Sequence, residues 1–341
     1  MKNTKFTCGM YGGAFNPLHL GHVRDMLQAA NMCDKLIVVI CQGLNRAEID
    51  INLRYRWVYE TVQHYPNVRI MILKDTAPTK QSIPEAEWLR QSEEVKAFAG
   101  EPITAVFHGD DYGEKSVWSK CYPDAKKVIF KRDYMNSTSI RDNPFECWDW
   151  LPKNVKPYFV KKVLIAGIES TGKSVMTGSL ANYFETVYLE EVGRDLSQLS
   201  GTCKLMLPED YRRILLEHRT KAISMYKKAN KIFFSDTDAV YTRFFLDYVD
   251  GGHDEVNINL AKAIEATNKY DLILYLHPTV EFVQDGDRSI KEQEDRNKAA
   301  AWLLNALRSA YLPYAKIVEI NASDYNDRFL QAVEAVKGLL K

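Results

Sequence analysis

Residues 167–174 read Gly167-Ile168-Glu169-Ser170-Thr171-Gly172-Lys173-Ser174. An apolar run, 163–166, precedes them and a helical pattern follows. The spacing Gly-x-x-x-x-Gly-Lys-Ser in that setting is a P-loop. Its backbone N–H groups cradle a β-phosphate, Lys173 reaches the β and γ oxygens, and the Ser174 hydroxyl takes Mg²⁺. Gly167, Glu169, Ser170, Thr171, Gly172, Lys173 and Ser174 are therefore the expected ATP-binding set. A strand, a glycine-rich turn and a helix in this order belong at the first turn of an α/β sheet.

Working outward, short apolar runs alternate with helical patterns along the whole chain. Runs at 7–11, 36–41, 68–73, 103–108 and 128–131 frame helical stretches near 21–31, 52–64 and 84–99. In the second half the runs are 162–166, 186–189, 231–235, 272–276 and 317–320. Helical patterns there cover about 173–184, 208–229, 256–268, 294–310 and 324–340. Such alternation predicts parallel sheets covered on both faces. Two series, each with its own glycine-rich first turn, predict two doubly wound α/β domains, 1–142 and 162–341. Between them, 143–161 carries Pro144, Pro152 and Pro157 among Phe145, Trp148, Trp150, Tyr158 and Phe159. Prolines stiffen such a segment and aromatics need a surface to pack on, so a docked connector is expected.

The turn of the first series reads Gly12-Gly13-Ala14-Phe15-Asn16-Pro17-Leu18-His19-Leu20-Gly21-His22. Glycines let a phosphate approach the backbone, and the helix that follows offers unpaired N–H groups and partial positive charge. His19 and His22 would flank that anion. The stretch resembles the nucleotidyltransferase superfamily, whose signature is His/Thr-x-Gly-His in this setting. Ser137-Thr138-Ser139-Ile140-Arg141 resembles that family's second signature, Ser-x-x-x-Ile-Arg, with Asn136 standing where the family has serine. Gly12, Gly13, Phe15, Asn16, His19, His22, Ser137, Thr138 and Arg141 form the expected ATP set of this domain.

These parts suit transfer of AMP to an attacking phosphate. That nucleophile is already an anion and needs no general base, so donors that neutralise the transition state suffice. His22 would serve the α-phosphate, and His19 and Arg141 the leaving pyrophosphate, with Mg²⁺.

A kinase acting on a neutral hydroxyl needs more. Asp236, closing the run 231–235, has the Walker B position and is the candidate for Mg²⁺. Asp238 is either a substrate contact or the cap of the next helix. In Glu190-Glu191-Val192-Gly193-Arg194, Glu191 and Arg194 are candidates for base and substrate contact. The polar loop Gln284-Asp285-Gly286-Asp287-Arg288-Ser289 has the place of a lid, with Arg288 poised to stabilise the transferring phosphoryl group.

Composition agrees with small-molecule chemistry. The 341 residues carry 45 Lys+Arg and 45 Asp+Glu, a balance that gives no general electrostatic attraction to nucleic acid or membrane. No run approaches the roughly 20 apolar residues of a bilayer span, and no secretory pattern opens the chain. Six scattered cysteines without a Cys-x-x-Cys pair point to a reduced, cytoplasmic setting and away from zinc. A homo-oligomer is compatible with the sequence and is not specified by it.

The order of motifs resembles the NadR-type bifunctional family, which joins nicotinamide-mononucleotide adenylyltransferase to ribosylnicotinamide kinase. The likeness runs through Ile140-Arg141-Asp142-Asn143-Pro144-Phe145, Trp148, Leu151-Pro152 and Val155-Lys156-Pro157-Tyr158-Phe159-Val160 to the P-loop. It continues at Glu191–Arg194, Asp236-Thr237-Asp238 and Asp285-Gly286-x-Arg288-Ser289. The resemblance implies that the second domain phosphorylates nicotinamide riboside with ATP. The first would then join the mononucleotide (NMN) to AMP, giving NAD and pyrophosphate. An aromatic should cover the pyridine: Trp88 is a candidate, or else a packing residue. Asp110 and Arg132 are candidates for ribose and phosphate, or turn residues. Some family members carry an N-terminal helix-turn-helix domain; none is expected here.

Two rivals remain at this stage. A phosphopantetheine adenylyltransferase fused to a dephospho-coenzyme A kinase has the same domain order but leaves Glu191–Arg194 and Asp285–Ser289 unexplained. A nucleotide-sensing regulator with one inactive domain is the other.

Overall fold

The computed structural model describes residues 5–110, 117–131, 135–199, 205–249, 251–283, 290 and 292–341. They divide into two compact units, Met1–Lys156 and Pro157–Lys341.

The first unit runs β1 (Phe6–Gly13), α1 (Leu20–Met32), β2 (Cys33–Gly43), α2 (Ile51–Val62), β3 (Val68–Asp75), α3 (Glu85–Ala99), β4 (Ala105–Gly109), α4 (Val117–Cys121), β5 (Lys126–Phe130) and α5 (Ser137–Asp142). All the strands are parallel, in the order β3-β2-β1-β4-β5. Strands buried on both sides read as continuous apolar runs, and Leu36-Ile37-Val38-Val39-Ile40 has no exposed member. Alternate residues of the strands point to opposite faces. Cys8, Met10, Ile37, Val39 and Val106 turn one way, onto Val95 and Ala99 of α3. α1 and α2 lie against β1 and β2.

The connection α6 (Lys156–Phe159) opens the second unit. The division between units thus falls inside the segment 143–161. Phe145, Trp148, Leu151 and Val155 of that segment are buried, and Asn154 donates to the Trp57 carbonyl at 3.2 Å.

From there the chain runs β6 (Lys161–Ala166), α7 (Lys173–Tyr183), β7 (Tyr188–Leu189), α8 (Gly193–Leu199), α9 (Pro208–Tyr226), β8 (Ile232–Asp236), α10 (Ala239–Phe244), α11 (Glu255–Thr267), β9 (Leu272–Leu276), α12 (Gln293–Tyr311), β10 (Lys316–Ile320) and α13 (Tyr325–Lys337). The sheet is again parallel, in the order β10-β9-β6-β8-β7. Leu164, Ala166, Ile273 and Tyr275 pack on α10 and α12. Val163, Ile165, Leu272 and Leu274 pack on α7 and α13. Each fully buried Leu, Ile or Val among them contributes about 1.5–3 kcal/mol.

The run 186–189 is a strand only over Tyr188–Leu189. Glu185 turns the chain at φ 51°, and the Thr186 hydroxyl donates to the Ile232 carbonyl at 2.6 Å. In each sheet the first strand has neighbours on both sides, so the crevice beyond its C-terminal end is where a doubly wound fold takes ligands.

Candidate active sites

In the first unit the turn after β1 opens onto a cavity of about 780 Å³, lined by the turn, by α1 and by the start of α5. His19 is the N-cap of α1, and its Nδ1 accepts the His22 N–H over a long 3.4 Å. With Nδ1 accepting, the neutral ring carries its proton on Nε2. The His19 and His22 rings stack with centroids 3.7 Å apart. Phe15, in the left-handed region at φ 46°, sets its ring edge-on to His22 at 5.1 Å. Two glycines make room for this. A Cβ on Gly13 would meet the Phe15 ring at 3.0 Å, and one on Gly21 the His19 ring at 3.0 Å.

The second signature is strapped to the same turn. Ser137 donates to the Pro17 carbonyl at 2.9 Å, and Arg141 donates to the Asn16 carbonyl and, at 3.1 Å, to the Thr138 hydroxyl. Asn136 caps α5 by accepting the Ser139 N–H at 2.9 Å. Serine performs the same capping, so the departure from the family pattern costs the helix nothing.

In the second unit the P-loop joins β6 to α7. Gly167 has φ 152°, and a Cβ there would lie 2.6 Å from the Leu276 carbonyl oxygen, so glycine is required. Lys173 is buried, donating to the Ile168 carbonyl at 3.0 Å with its ammonium 4.6 Å from the centre of the Tyr241 ring. Asp236 ends β8 opposite Ile165 of β6, which brings it beside the loop. Burial holds its carboxyl above the ordinary range, while the Lys173 ammonium and the approaching Ser174 hydroxyl pull it down. Neither of its oxygens makes a hydrogen bond of standard geometry. Glu191 is raised by burial too, against the opposing pull of Lys173. Arg194 bridges the group: it donates to the Ser174 hydroxyl at 2.7 Å and lies 3.5 Å from Glu191. Two carboxylates, an ammonium, a guanidinium and a hydroxyl thus converge at the start of one helix, an arrangement fit for a polyphosphate with a divalent cation.

The second half of the chain, residues 162–328, matches the family model for an AAA domain, and residues 10–158 match a cytidylyltransferase-like model. The trifunctional NAD biosynthesis/regulator protein NadR of Salmonella typhimurium is 29% identical over 97% of this chain and 83% of its own length. A crystal structure of NadR protein in complex with NR superposes with a TM-score of 0.75 at 22% identity, covering 100% of this chain and 98% of that one. Another, in complex with NAD and AMP-PNP, gives 0.75 at 20% identity with the same coverage. The chain belongs to the NadR family.

Within this NadR-family chain the cavity of the first unit gathers Gly12, Gly13, Phe15, Asn16, His19, His22, Ser137, Thr138 and Arg141. Trp88 does not line this cavity: it sits on α3, partly buried against the core cluster of this unit. Asp110 falls in an exposed turn after β4 and does not line the cavity. Arg132 lies outside the described residues, as do Arg288 and the rest of Gln284–Ser289.

Three further placements concern the kinase unit. Asp238 is the cap of α10, not an open substrate contact. Its Oδ1 accepts the Val240 N–H at 3.0 Å, the Tyr311 hydroxyl donates to Oδ2, and it is 3% exposed. The side chains of Glu169 and Ser170 turn away from the loop interior. Glu169 accepts the Ile290 N–H at 3.2 Å, and the Ser170 hydroxyl accepts the Val283 N–H at 2.8 Å.

Several cavity-lining residues escaped the sequence reading. Arg46, Glu48, Lys80, Gln81 and Trp150 also line the first cavity. Arg46 is gripped by both oxygens of Asp75 at 2.7 Å and by Glu48 at 3.1 Å. The available signal was position: the loop after β2 borders the crevice at which this fold binds ligands. Tyr241, under the Lys173 ammonium, had no such signal, because an apolar run on a short helix reads as core.

Proposed function

We propose that the chain is a bifunctional enzyme of NAD salvage. Its second unit moves the terminal phosphoryl group of ATP to the 5′-hydroxyl of nicotinamide riboside. Its first unit then moves AMP from ATP to the resulting mononucleotide, giving NAD and pyrophosphate. The observation that carries this is the presence, in one NadR-family chain, of two different phosphate turns on two parallel sheets, one with a stacked histidine pair and one with a buried lysine whose charge acts on Asp236 and Glu191.

In the adenylyl-transfer site His19 offers Nε2–H and His22 sits against it, so both can donate where charge builds on the α-phosphate and the leaving pyrophosphate. Arg141 adds a fixed fork of donors. The attacking phosphate is already an anion, so no base is required. In the phosphoryl-transfer site Lys173 leaves its resting place on the Ile168 carbonyl for the β and γ oxygens. Glu191, held above the ordinary carboxylate range by burial, is suited to take the proton of an attacking hydroxyl.

Mg²⁺ fits this second site. The Asp236 oxygens lack standard hydrogen bonds and adjoin the Ser174 hydroxyl, and Mg²⁺ with a bound triphosphate needs only one or two protein ligands besides water. When bound it would offset charge between the β and γ oxygens.

The test supplies nicotinamide riboside, ATP and Mg²⁺ and follows mononucleotide and NAD over time. Lys173→Ala should stop mononucleotide formation while supplied mononucleotide still yields NAD. His22→Ala should do the reverse. A folded Lys173→Ala protein that also fails to make NAD from supplied mononucleotide would refute two separate sites.

A further inference from the structure

The three bulkiest fully buried side chains among the described residues are arginines: Arg54, Arg296 and Arg328, each 1% exposed. None belongs to a recognised motif. Every one of them donates to a carbonyl of a phosphate turn. Arg296, on α12, donates to the Glu169 carbonyl at 3.2 Å and the Ser170 carbonyl at 3.4 Å. Arg328, on α13, donates to the Thr171 carbonyl at 3.1 Å and also to the His277 carbonyl, the Thr279 hydroxyl and the Ala322 carbonyl. In the other unit Arg54, on α2, donates to the Ala14 carbonyl at 2.7 Å, and to the Cys41 and Ile49 carbonyls and Glu48.

A turn that aims its N–H groups at an anion must turn its carbonyls outward. Here those carbonyls point into protein, where an oxygen without a donor is costly. A guanidinium answers this better than any other side chain: it has five donors in a rigid plane and no acceptor to satisfy. Arg296 and Arg328 between them hold three consecutive carbonyls, 169 to 171, at the centre of the P-loop. The Phe282 ring covers the Arg296 guanidinium, 5.2 Å from its centre. Among the described residues, the hydrogen-bond partners of Arg328 are all neutral oxygens, so its charge also favours an anion in front of the loop.

We propose that Arg296 and Arg328 are positioning residues of the phosphoryl-transfer site, and Arg54 of the adenylyl-transfer site, each fixing its own phosphate turn from behind. This rests on the functional reading above.

The experiment uses the full chain, with both reactions and thermal unfolding measured on the same preparation. Arg328→Gln should raise the KM for ATP in phosphoryl transfer by about 10-fold or more, kcat changing less, while the KM for ATP in adenylyl transfer stays at the wild-type value. Arg328→Lys, with one compact donor, should recover part of the loss. Arg54→Gln should show the opposite split. The proposal falls if Arg328→Gln lowers the unfolding temperature and leaves KM for ATP unchanged, or if every variant raises both KM values together. Should Arg328→Gln fail to fold, Arg328→Lys and Arg296→Lys are read for the same split. If the wild type performs neither reaction, the functional reading fails by itself. Calorimetric titration of AMP-PNP then decides: weakening of one of two binding events in Arg328→Lys supports the proposal, and an unchanged titration overturns it.

Discussion

Arg194 donates through Nη2 to the hydroxyl of Ser174 at 2.7 Å, so the oxygen assigned to Mg²⁺ already faces a cation. A bound Mg²⁺ would compete with the guanidinium for one hydroxyl. Arg194→Ala should lower the Mg²⁺ concentration at half-maximal kinase rate. The maximal rate itself should fall about 10- to 100-fold, the equivalent of one charge-assisted hydrogen bond. A Mg²⁺ titration of phosphoryl transfer checks both, and an unmoved midpoint would show that the two cations do not share the oxygen.

Stability should hide two opposed titrations in the kinase unit. Burial raises Asp238 from 3.8 to about 6, with the Tyr311 hydroxyl opposing. Burial lowers His218 from 6.5 to about 4. The Asp238 contribution is present below pH 4 and lost as pH rises through 6; that of His218 is present above 6.5 and lost as pH falls through 4. Each is on the order of 3 kcal/mol, so they nearly cancel. Asp238→Asn keeps an acceptor for the Val240 N–H and should gain stability relative to wild type as pH rises from 4 to 6. His218→Gln should gain relative to wild type as pH falls over that range. Denaturant midpoints at several pH values read this directly; parallel curves for all three proteins would contradict it.

Gly21→Ala separates stability from activity in the other unit. Alanine is the better helix former by about 1 kcal/mol, but its Cβ would press on the His19 ring at 3.0 Å. The unfolding midpoint should hold or rise while adenylyl transfer drops by roughly 10- to 100-fold, since a small displacement of a catalytic group costs that much. Full activity would mean that the ring gives way harmlessly.

Asn136→Ser should change neither stability nor adenylyl transfer, because both residues can accept the Ser139 N–H. Asn136→Ala should cost about 1 kcal/mol of stability. A marked gain of activity in Asn136→Ser would show that the family's serine does more than cap.

What was legible in the sequence followed from local rules. Gly167–Ser174 and Gly12–His22 announce themselves because a backbone that must approach phosphate excludes most side chains at fixed spacings. Strands such as 36–41 and 272–276 show because both faces are buried. Residues whose reading stayed open share one cause: their local context suited two roles. Trp88 could pack or cover a ligand and Asp238 could cap or contact one; the fold places the first on a core cluster and the second at a helix cap, since only the fold reveals what lies opposite a ring or a carboxylate.

The sequence alone therefore determined the two parallel-sheet domains, the two phosphate turns and the membership of a family, all of which depend on neighbours within a few residues. Tertiary structure decided the rest. It brought Arg54 to Ala14, Arg296 to Glu169 and Arg328 to Thr171, contacts spanning 40, 127 and 157 positions. Arginines so far along the chain from the carbonyls they serve carry no local signature, because burial of a charge is justified only by oxygens that folding alone assembles around it.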